Sequence, residues 1–214
     1  MGFNKQHFWN LSVIKQFFFI TIKANNSKFR RHFSFSSSPT EKGYLEFSTK
    51  LRESEFKNLL RKYVKGDRAI LKAPFGDFTL DDKCDKIAML AGGIGITNLR
   101  SICKYCTDNR LPTNIILLYC NHAEGDIAFR DDFDNMVSLN KNLKVIHIIL
   151  EPSNSWKGYT GYITADILKD EIPDHLERTF FLSGPRAMNE SMENLLLDLN
   201  VPKQQVRKET FTGY

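Results

Sequence analysis

The second half of the chain alternates short apolar runs with stretches in which apolar residues recur at helical spacing. Apolar runs of strand length lie at 87–91, 115–120, 145–150 and 180–182, with a final alternating stretch at 206–211. The helical faces between them cover 99–106, 129–137 and 188–199, and Pro202 ends the last of these. Continuous apolar strands separated by amphipathic helices are typical of a parallel sheet covered on both faces. We therefore predict a doubly wound α/β domain over residues 83–214.

The first part of the chain has a different pattern of apolar and polar residues. Strand-like segments lie at 16–23, 31–37, 44–51 and 68–73, and the Gly, Pro and Ser turns between them indicate an antiparallel barrel or sandwich. One amphipathic helix interrupts the strands. Ser54 is its expected N-cap, and its expected inward residues are Phe56, Leu59, Leu60 and Tyr63. We predict a separate antiparallel β domain over residues 1–82.

Positive charge is concentrated at the amino end. The net charge is +5, and the first 40 residues hold six Lys or Arg residues, with no acidic residue before Glu41. Such a segment is typical of a targeting peptide or of a surface that faces phosphate. The alternating stretch at 32–37 favours folded structure over a targeting peptide. The cations are too sparse for a nucleic-acid site, and no apolar run approaches the ~20 residues of a membrane helix.

The four cysteines do not form a recognisable disulfide or metal framework. Cys103 and Cys106 have redox-like or zinc-like spacing, but no second pair or His cluster completes a site. Both fall on the apolar face of a predicted helix, so we interpret them as small core residues. Free thiols favour a reducing, cytoplasmic setting.

Two glycine-containing turns carry the candidate chemistry. The stretch Gly92-Gly93-Ile94-Gly95-Ile96-Thr97 leads from a predicted strand into a helix, and Ser183-Gly184-Pro185 follows another strand. Glycines allow close backbone approach, and a helix start offers unpaired N–H groups to phosphate. The dehydrogenase pattern is broken because its third glycine falls on Asn98. The alternative is a tight turn without a ligand, but two such turns at one sheet edge predict a nucleotide site.

Five motifs in order resemble the ferredoxin–NADP reductase superfamily, in which an FAD-binding barrel precedes a nicotinamide-nucleotide domain. Arg31-His32-Phe33-Ser34 is similar to the family's Arg-x-Tyr-Ser, and Gly66-Asp67 with 73–78 is similar to its Gly-Asp and Gly-Pro-x-Gly-x-Phe segment. The glycine turn, Ser183-Gly184-Pro185 with Met188, and the aromatic stretch 209–214 complete the resemblance, which runs from about Gln16 to Tyr214.

The resemblance implies a set of flavin contacts. Arg31 would bind the pyrophosphate as a fork-shaped cation. Phe33 would lie against the isoalloxazine ring in place of the usual Tyr, and Ser34 would hydrogen-bond near N5. Gly76 would allow close approach of the backbone to the cofactor. Without the motif around it, Arg31 would be interpreted as a solvated surface cation beside Arg30.

The resemblance also implies a nicotinamide-nucleotide site. Its pyrophosphate would lie on Gly92, Gly93, Gly95 and Thr97. Ser183 and Gly184 would edge the nicotinamide, Pro185 and Asn121 would also contact the cofactor, and Ser34 and Ser183 are the predicted catalytic residues. Phe211 or Tyr214 would cover the flavin, the alternative being that each packs on the core. Asn121 and His122 stand where NADP-binding relatives commonly have Ser and Arg, which favours NAD.

The amino end departs from the family. Only Gln16 remains of a Pro-Gly-Gln segment, and about 15 residues precede it, so opening barrel strands are missing from the pattern. Three explanations stay open: residues 1–14 fold as a substitute, a partner supplies the strand, or the chain is shortened. There is no Cys-x4-Cys-x2-Cys run for a plant-type iron–sulfur cluster.

The resulting hypothesis is an FAD-dependent NAD(P)H oxidoreductase that passes hydride to flavin N5 and then electrons to a separate acceptor, such as a ferredoxin or an oxygenase component. The basic amino end would help to dock an acidic carrier. An alternative is a flavin-poor, NAD(P)-binding interaction subunit of a larger redox complex. A third is a structural domain without a ligand.

Overall fold

A computed structural model describes residues 17–24, 27–80 and 84–211 of the chain. Its first part is a three-stranded antiparallel sheet, termed here the small sheet, in the order β2-β1-β3. The strands are β1 (Phe17–Ala24), β2 (Ser27–Ser34) and β3 (Ile70–Phe75). Alternate residues of β1, Phe18, Ile20 and Ile22, are buried against Phe35 and Phe56, as the two-residue period of a strand requires.

The helix of the first part confirms its predicted cap. Helix α1 (Glu55–Leu60) begins after Ser54, whose side chain accepts a hydrogen bond of 3.2 Å from the Lys57 N–H. Phe56 is buried, and Leu59, Leu60 and Tyr63 are partly buried against the same cluster. This helix covers one face of the small sheet, while residues 76–78 and 207–210 lie beside Phe17 and Phe19 on the opposite face.

The strand predictions at 31–37 and 44–51 need correction. Strand β2 ends at Ser34, and 44–51 forms no strand. The reason is competition from local polar contacts: the Ser36 and Ser37 N–H groups both donate to the Glu46 carbonyl, while the Ser36 hydroxyl donates to the Glu46 carboxylate at 2.6 Å. Such side-chain bonds offer the backbone an alternative to a regular ladder.

The second part is a six-stranded sheet, termed the large sheet, in the order β7-β6-β5-β4-β8-β9, and every pair is parallel. Its strands are β4 (Lys86–Gly92), β5 (Asn114–Asn121), β6 (Leu143–Ile149), β7 (Tyr159–Thr160), β8 (Thr179–Pro185) and β9 (Val206–Phe211). The chain runs outward from β4 to β7 and then returns to β8 beside β4. This reversal makes the β4–β8 boundary the topological switch point, where ligands bind in such sheets.

Helices cover both faces of the large sheet. They are α2 (Ile96–Asp108), α3 (Arg130–Leu139), α4 (Ala165–Glu171) and α5 (Arg186–Asp198). Helices α2 and α3 pack on one face through residues such as Leu99 and Phe133, and α4 and α5 pack on the other through Leu168 and Leu196. The predicted fold class, an antiparallel β unit followed by a doubly wound parallel sheet, is confirmed. Strand β7 and helix α4 were not predicted.

The cysteine pair packs as expected. Cys103 and Cys106 are fully buried in the core between α2 and the large sheet. Burial raises the pKa of Cys106 to about 12 and that of Cys103 well above its ordinary value. Among the described residues no group of three His, Cys, Asp or Glu side chains could hold a metal ion. No helix in the described ranges is long and apolar enough to cross a membrane.

A buried ion cluster joins the two parts of the molecule. Arg100 on α2 donates to Glu41 and to the Ser36 carbonyl from the first part, and to Asp132 on α3. Burial disfavours the charge on Glu41, but hydrogen bonds from Arg100, the Ser38 N–H and Tyr44, together with the charge of Arg100, outweigh burial and lower the pKa of Glu41. The predicted domain boundary at 82 and 83 falls on residues 81–83, which lie outside the described residues.

Candidate functional site

A cavity of about 700 Å³ lies at the carboxyl ends of β4, β5 and β8. The glycine turn forms one wall through Gly92, Gly93 and Ile94, and Pro185 with the start of α5 forms another. Asn121 lies at its base, only 3% exposed, and neither its amide nitrogen nor its amide oxygen has a hydrogen-bond partner. A buried amide without partners is costly, so this wall is suited to a polar ligand.

The glycine turn needs its glycines for two different reasons. Gly93 has a φ of +51°, a left-handed conformation that side chains disfavour. At Gly95 a Cβ atom would lie 2.2 Å from the Ser183 carbonyl oxygen, so only glycine lets the turn touch β8. The turn is a short 3-10 segment (Gly93–Gly95) that runs directly into α2. The Tyr119 hydroxyl donates to the Gly93 carbonyl at 3.1 Å and supports the turn from below.

Two predicted ligands of this turn do not line the cavity. Gly95 is buried against β8, and Thr97 is 1% exposed, with its hydroxyl donating to the Ile94 carbonyl at 3.3 Å. Thr97 therefore shapes the turn in this structure. Gly184 is also buried, with the Met188 sulfur 2.8 Å from the position of a Cβ atom.

A second cleft, of about 500 Å³, lies beside the small sheet. It brings together the predicted flavin residues Arg31, Phe33 and Ser34, with Ser54 and Phe56 of the α1 region opposite them. The exposed Arg31 guanidinium lies 5.8 Å from the Phe56 ring. Phe33 packs on Phe47 with ring centroids 4.7 Å apart. Ile94 and Lys50 line both this cleft and the larger cavity, so the two spaces adjoin.

The two predicted catalytic serines are connected by a chain of hydrogen bonds. Ser34 donates to the Glu209 carboxylate at 2.7 Å, and the Asn98 amide nitrogen donates to the other oxygen of that carboxylate. Ser183 donates to the Asn98 amide oxygen at 3.0 Å. Both serines and Asn98 are buried, with at most 4% of each exposed. The network joins strand β2 of the small sheet to β8 and β9 of the large sheet.

Sequence reasoning assigned no role to Glu209 or Asn98. Glu209 belongs to the carboxyl-terminal stretch that resembles the family through its aromatic residues, and Asn98 breaks the glycine pattern of dehydrogenases. The sequence gives little indication that these two residues meet, because Asn98 and Glu209 are 111 positions apart. Their pairing depends on the parallel register of β8 and β9, in which Ser183 lies beside Glu209.

Gly76 does not line the cleft that contains Arg31, Phe33 and Ser34. It lines a third hollow, of about 600 Å³, with Phe17, Phe19, His32 and residues 207–210, on the other side of β2 from Arg31. The structure therefore does not bring Gly76 into the Arg31 cleft. The Phe211 backbone ends β9 beside Pro185, and the predicted Tyr214 lies outside the described residues.

The fold and the adjoining clefts define a class: a two-part protein with a nucleotide-type site at the switch point of a parallel sheet. Residues 89–194 match the family described as the oxidoreductase NAD-binding domain. The chain is 30% identical over 163 residues to the plasma membrane-associated coenzyme Q6 reductase PGA3 of Saccharomyces cerevisiae, covering 74% of this chain and 52% of that protein. It is 25% identical over 203 residues to the glycine betaine monooxygenase reductase subunit of Chromohalobacter salexigens, covering 92% and 55%.

Solved structures give the same fold. The cytochrome b5 reductase domain of Ulva prolifera nitrate reductase superposes with a TM-score of 0.81 at 22% identity, covering 92% of this chain and 84% of that one. A ferredoxin NADP+ reductase from Neisseria gonorrhoeae with bound FAD and NADP gives 0.75 at 19% identity, covering 91% and 85%. These likenesses show the two-part fold, and the chain spans about half the length of the curated relatives named above.

Proposed function

We propose that the chain is an FAD-dependent oxidoreductase that accepts hydride from NAD(P)H and passes electrons to a separate protein. The observation that carries the proposal is the meeting of two clefts at Ile94. The hydrogen-bond network that contains Ser34 and Ser183 connects the small sheet to the large sheet, and these sheets form the clefts. Two dinucleotides bound in adjoining clefts would have their reactive rings close together, and such proximity is a large part of catalysis.

The larger cavity suits the nicotinamide nucleotide. Its volume of about 700 Å³ lies within the usual range for cofactor sites. The backbone N–H groups at the start of α2 would face the pyrophosphate, and the unpaired Asn121 amide would take a polar group of the ligand. These residues bind and orient the nucleotide.

The smaller cleft suits the flavin. Arg31 offers a charged fork to a pyrophosphate, and Phe33 offers an aromatic face. When bound, FAD supplies a ring nitrogen that accepts hydride and a ring system that releases electrons singly. The residues of the chain hold and orient the cofactor, and Ser34 supplies a hydroxyl whose direction is fixed by Glu209.

Acidic groups at the edge of the larger cavity favour NAD over NADP. Asp126 lines the cavity and pairs with Lys50 at 3.2 Å, which leaves that lysine partly neutralised. Glu124 is next to this edge, and His122 lies 3.4 Å from Glu151. A 2′-phosphate placed among carboxylates would be repelled. We propose NADH as the preferred donor.

The face of the small sheet opposite helix α1 is the proposed docking surface for the acceptor. Phe17, Phe19 and Phe75 contact one another there, with centroids 5.4–5.8 Å apart, and Phe75 is 39% exposed. The strand register adds four cations to this face, Lys23, Lys28, Arg30 and Lys72. The acidic residues Asp77 and Glu209 line the hollow at its Phe17 edge. An acidic protein with an apolar centre fits it. The cationic amino end, residues 1–16, is the less suitable occupant by charge.

The decisive experiment is a visible absorption spectrum of the purified chain before and after FAD is added. A yellow protein that NADH bleaches is the expected result. A colourless protein that takes up no FAD overturns the proposal. If that protein still binds ADP-ribose, the interaction-subunit alternative replaces it.

A further inference from the structure

Asn98, on α2 beside strands β8 and β9, uses both ends of its side-chain amide in hydrogen bonds. It is the third residue of α2, and only 3% of it is exposed. Its amide oxygen accepts from the Ser183 hydroxyl at 3.0 Å and from the Leu99 N–H at 2.7 Å. Its amide nitrogen donates to the Glu209 carboxylate.

The chemistry of the neighbours dictates which way this amide points. The Leu99 N–H can only donate, so it requires the amide oxygen on its side. A carboxylate can only accept, so Glu209 requires the amide nitrogen. The two requirements agree, and a flipped amide would violate both. The orientation therefore follows from donor and acceptor types as well as from shape.

The fixed amide determines the direction of two hydroxyl protons. Because the amide oxygen faces Ser183, the Ser183 proton points at Asn98, and the lone pairs of that hydroxyl are directed elsewhere. Because the amide nitrogen holds one oxygen of Glu209, the other oxygen stays against Ser34 and takes the Ser34 proton. Ser34, which lines the smaller cleft, then presents its acceptor lone pairs to that cleft, whereas Ser183 is fully buried and holds the Asn98 amide in place.

We propose that Asn98 is a positioning residue that, through Glu209, aligns the Ser34 hydroxyl for hydride transfer between the two clefts. The inference rests on the proposed function and adds a residue to it. An asparagine with a purely structural role would hydrogen-bond only to the backbone N–H groups at the start of α2. Asn98 also bridges β8 and β9, and through Glu209 it reaches the small sheet.

The test compares Asn98→Asp with Asn98→Leu and with the control Asn140→Asp. Asn140 is a buried asparagine, 9% exposed, whose amide donates to Thr107 at 3.1 Å, away from both clefts. Asn98→Asp keeps the shape but places a second carboxylate against Glu209. Two carboxylates in one site share a proton, and one pKa of the pair is raised. The other titratable and charged groups around Glu209 are His32, Asp77, Arg207 and Lys208, which line the same hollow.

The readout is NADH-dependent reduction of ferricyanide by the FAD-loaded full chain between pH 5 and 9. For Asn98→Asp we expect kcat to fall at least about tenfold at alkaline pH, with KM for NADH changed less than about threefold. The rate should recover toward acid pH, because the introduced carboxyl group, once protonated, regains a donor for Glu209. Asn98→Leu should be slow at every pH, and Asn140→Asp should retain the parental profile.

Two failures are distinguishable. If the parent protein takes up FAD and reduces ferricyanide while Asn98→Asp matches it in kcat and pH profile, the role of Asn98 is wrong and the proposed function stands. If Asn98→Asp and Asn140→Asp change kcat, KM and melting temperature to the same extent, Asn98 has only a structural role. The proposal then also fails. If the parent shows no NADH-dependent reduction, the proposed function itself fails.

Discussion

At the scale of single residues, the Ser34 hydroxyl is the most direct target. Its hydroxyl hydrogen is donated to Glu209 at 2.7 Å, in a buried contact between the small and large sheets. Ser34→Ala removes this hydroxyl without adding volume. We expect flavin reduction by NADH to slow at least about tenfold, while FAD affinity changes less than about threefold. Stopped-flow absorbance and FAD titration measure the two quantities separately.

Arg31 gives the complementary prediction. Its guanidinium is exposed at the edge of the smaller cleft, the one proposed to hold flavin. Arg31→Ala should therefore mainly weaken FAD binding, by at least about tenfold, since charge-assisted bonds to phosphate are strong. Arg31→Lys keeps the charge, loses the fork and should lie between. Equilibrium dialysis with FAD measures this series. Parental behaviour in both the Ser34 and the Arg31 variants would show that the assignments are wrong.

The sequence indicates which residues lie together where a motif is local. Arg31, Phe33 and Ser34 are adjacent in the chain and meet in one cleft. Glu209 and Asn98 could not be assigned a role, because their contact requires the pairing of β8 with β9 and the packing of α2 on both. Gly76, predicted to share the flavin site with Arg31, lines a different hollow because β2 lies between the two residues.

At the scale of elements, the strand-to-helix turn depends on close contact with β8. Gly95→Ala would place a methyl carbon 2.2 Å from the Ser183 carbonyl oxygen and 2.8 Å from the Gly184 nitrogen. Backbone cannot move aside easily, so we expect a loss of about 1–3 kcal/mol in the free energy of unfolding. Urea denaturation measures the loss.

Gly125→Ala is the matched control for Gly95→Ala. A Cβ atom at Gly125 meets nothing within 4 Å, so its stability should change by less than about 0.5 kcal/mol. Equal losses in the two variants would mean that the β8 contact does not determine stability.

The elements of the large sheet were predictable because they are buried on both faces. Residues 115–119 of β5 are apolar and buried, a continuous signal that local polar contacts do not disturb. Short edge elements gave no such signal. Strand β7 has two residues, and α4 has seven, with Thr164 as its cap. In the first part, serine contacts to Glu46 replaced the predicted strand at 44–51.

At the scale of the whole molecule, a second ion cluster ties the amino ends of the strands together. Arg178 is buried and donates to Asp174 and to the Ile87 carbonyl at the base of β4. Burial would raise the pKa of Asp174, but hydrogen bonds from Arg178 and Lys86 outweigh it and lower that pKa from 3.8 to about 2.

The pH dependence of stability follows from this depressed pKa. A carboxyl group with a lowered folded-state pKa stabilises the fold above its unfolded pKa and loses that contribution as the folded form takes up its proton. Between pH 3.8 and about 2 the Asp174 contribution should therefore disappear. Asp174→Asn should lower the melting temperature at pH 7 and flatten its fall in this window. Calorimetry at stepped pH measures both; parallel curves would contradict the prediction.

The proposed docking face makes a prediction about electron transfer. Lys72→Glu on the small sheet should lower kcat/KM for an acidic [2Fe–2S] ferredoxin at least about fivefold at low salt, because opposite charge steers association. Ferricyanide reduction should be unchanged, since that small acceptor needs no docking face. Lys169→Glu, an exposed lysine on α4, is the control.

The order of synthesis gives the serine–carboxylate contact a further meaning. Ser34 and Glu209 are 175 positions apart, and Glu209 lies on the outermost strand of the large sheet. The segment that contains Ser34 therefore leaves the ribosome long before Glu209 has been made. Until β9 adds to the edge, the Ser34 hydroxyl has no Glu209 to direct it. We expect newly made chains to acquire tight flavin retention only after this last strand has emerged.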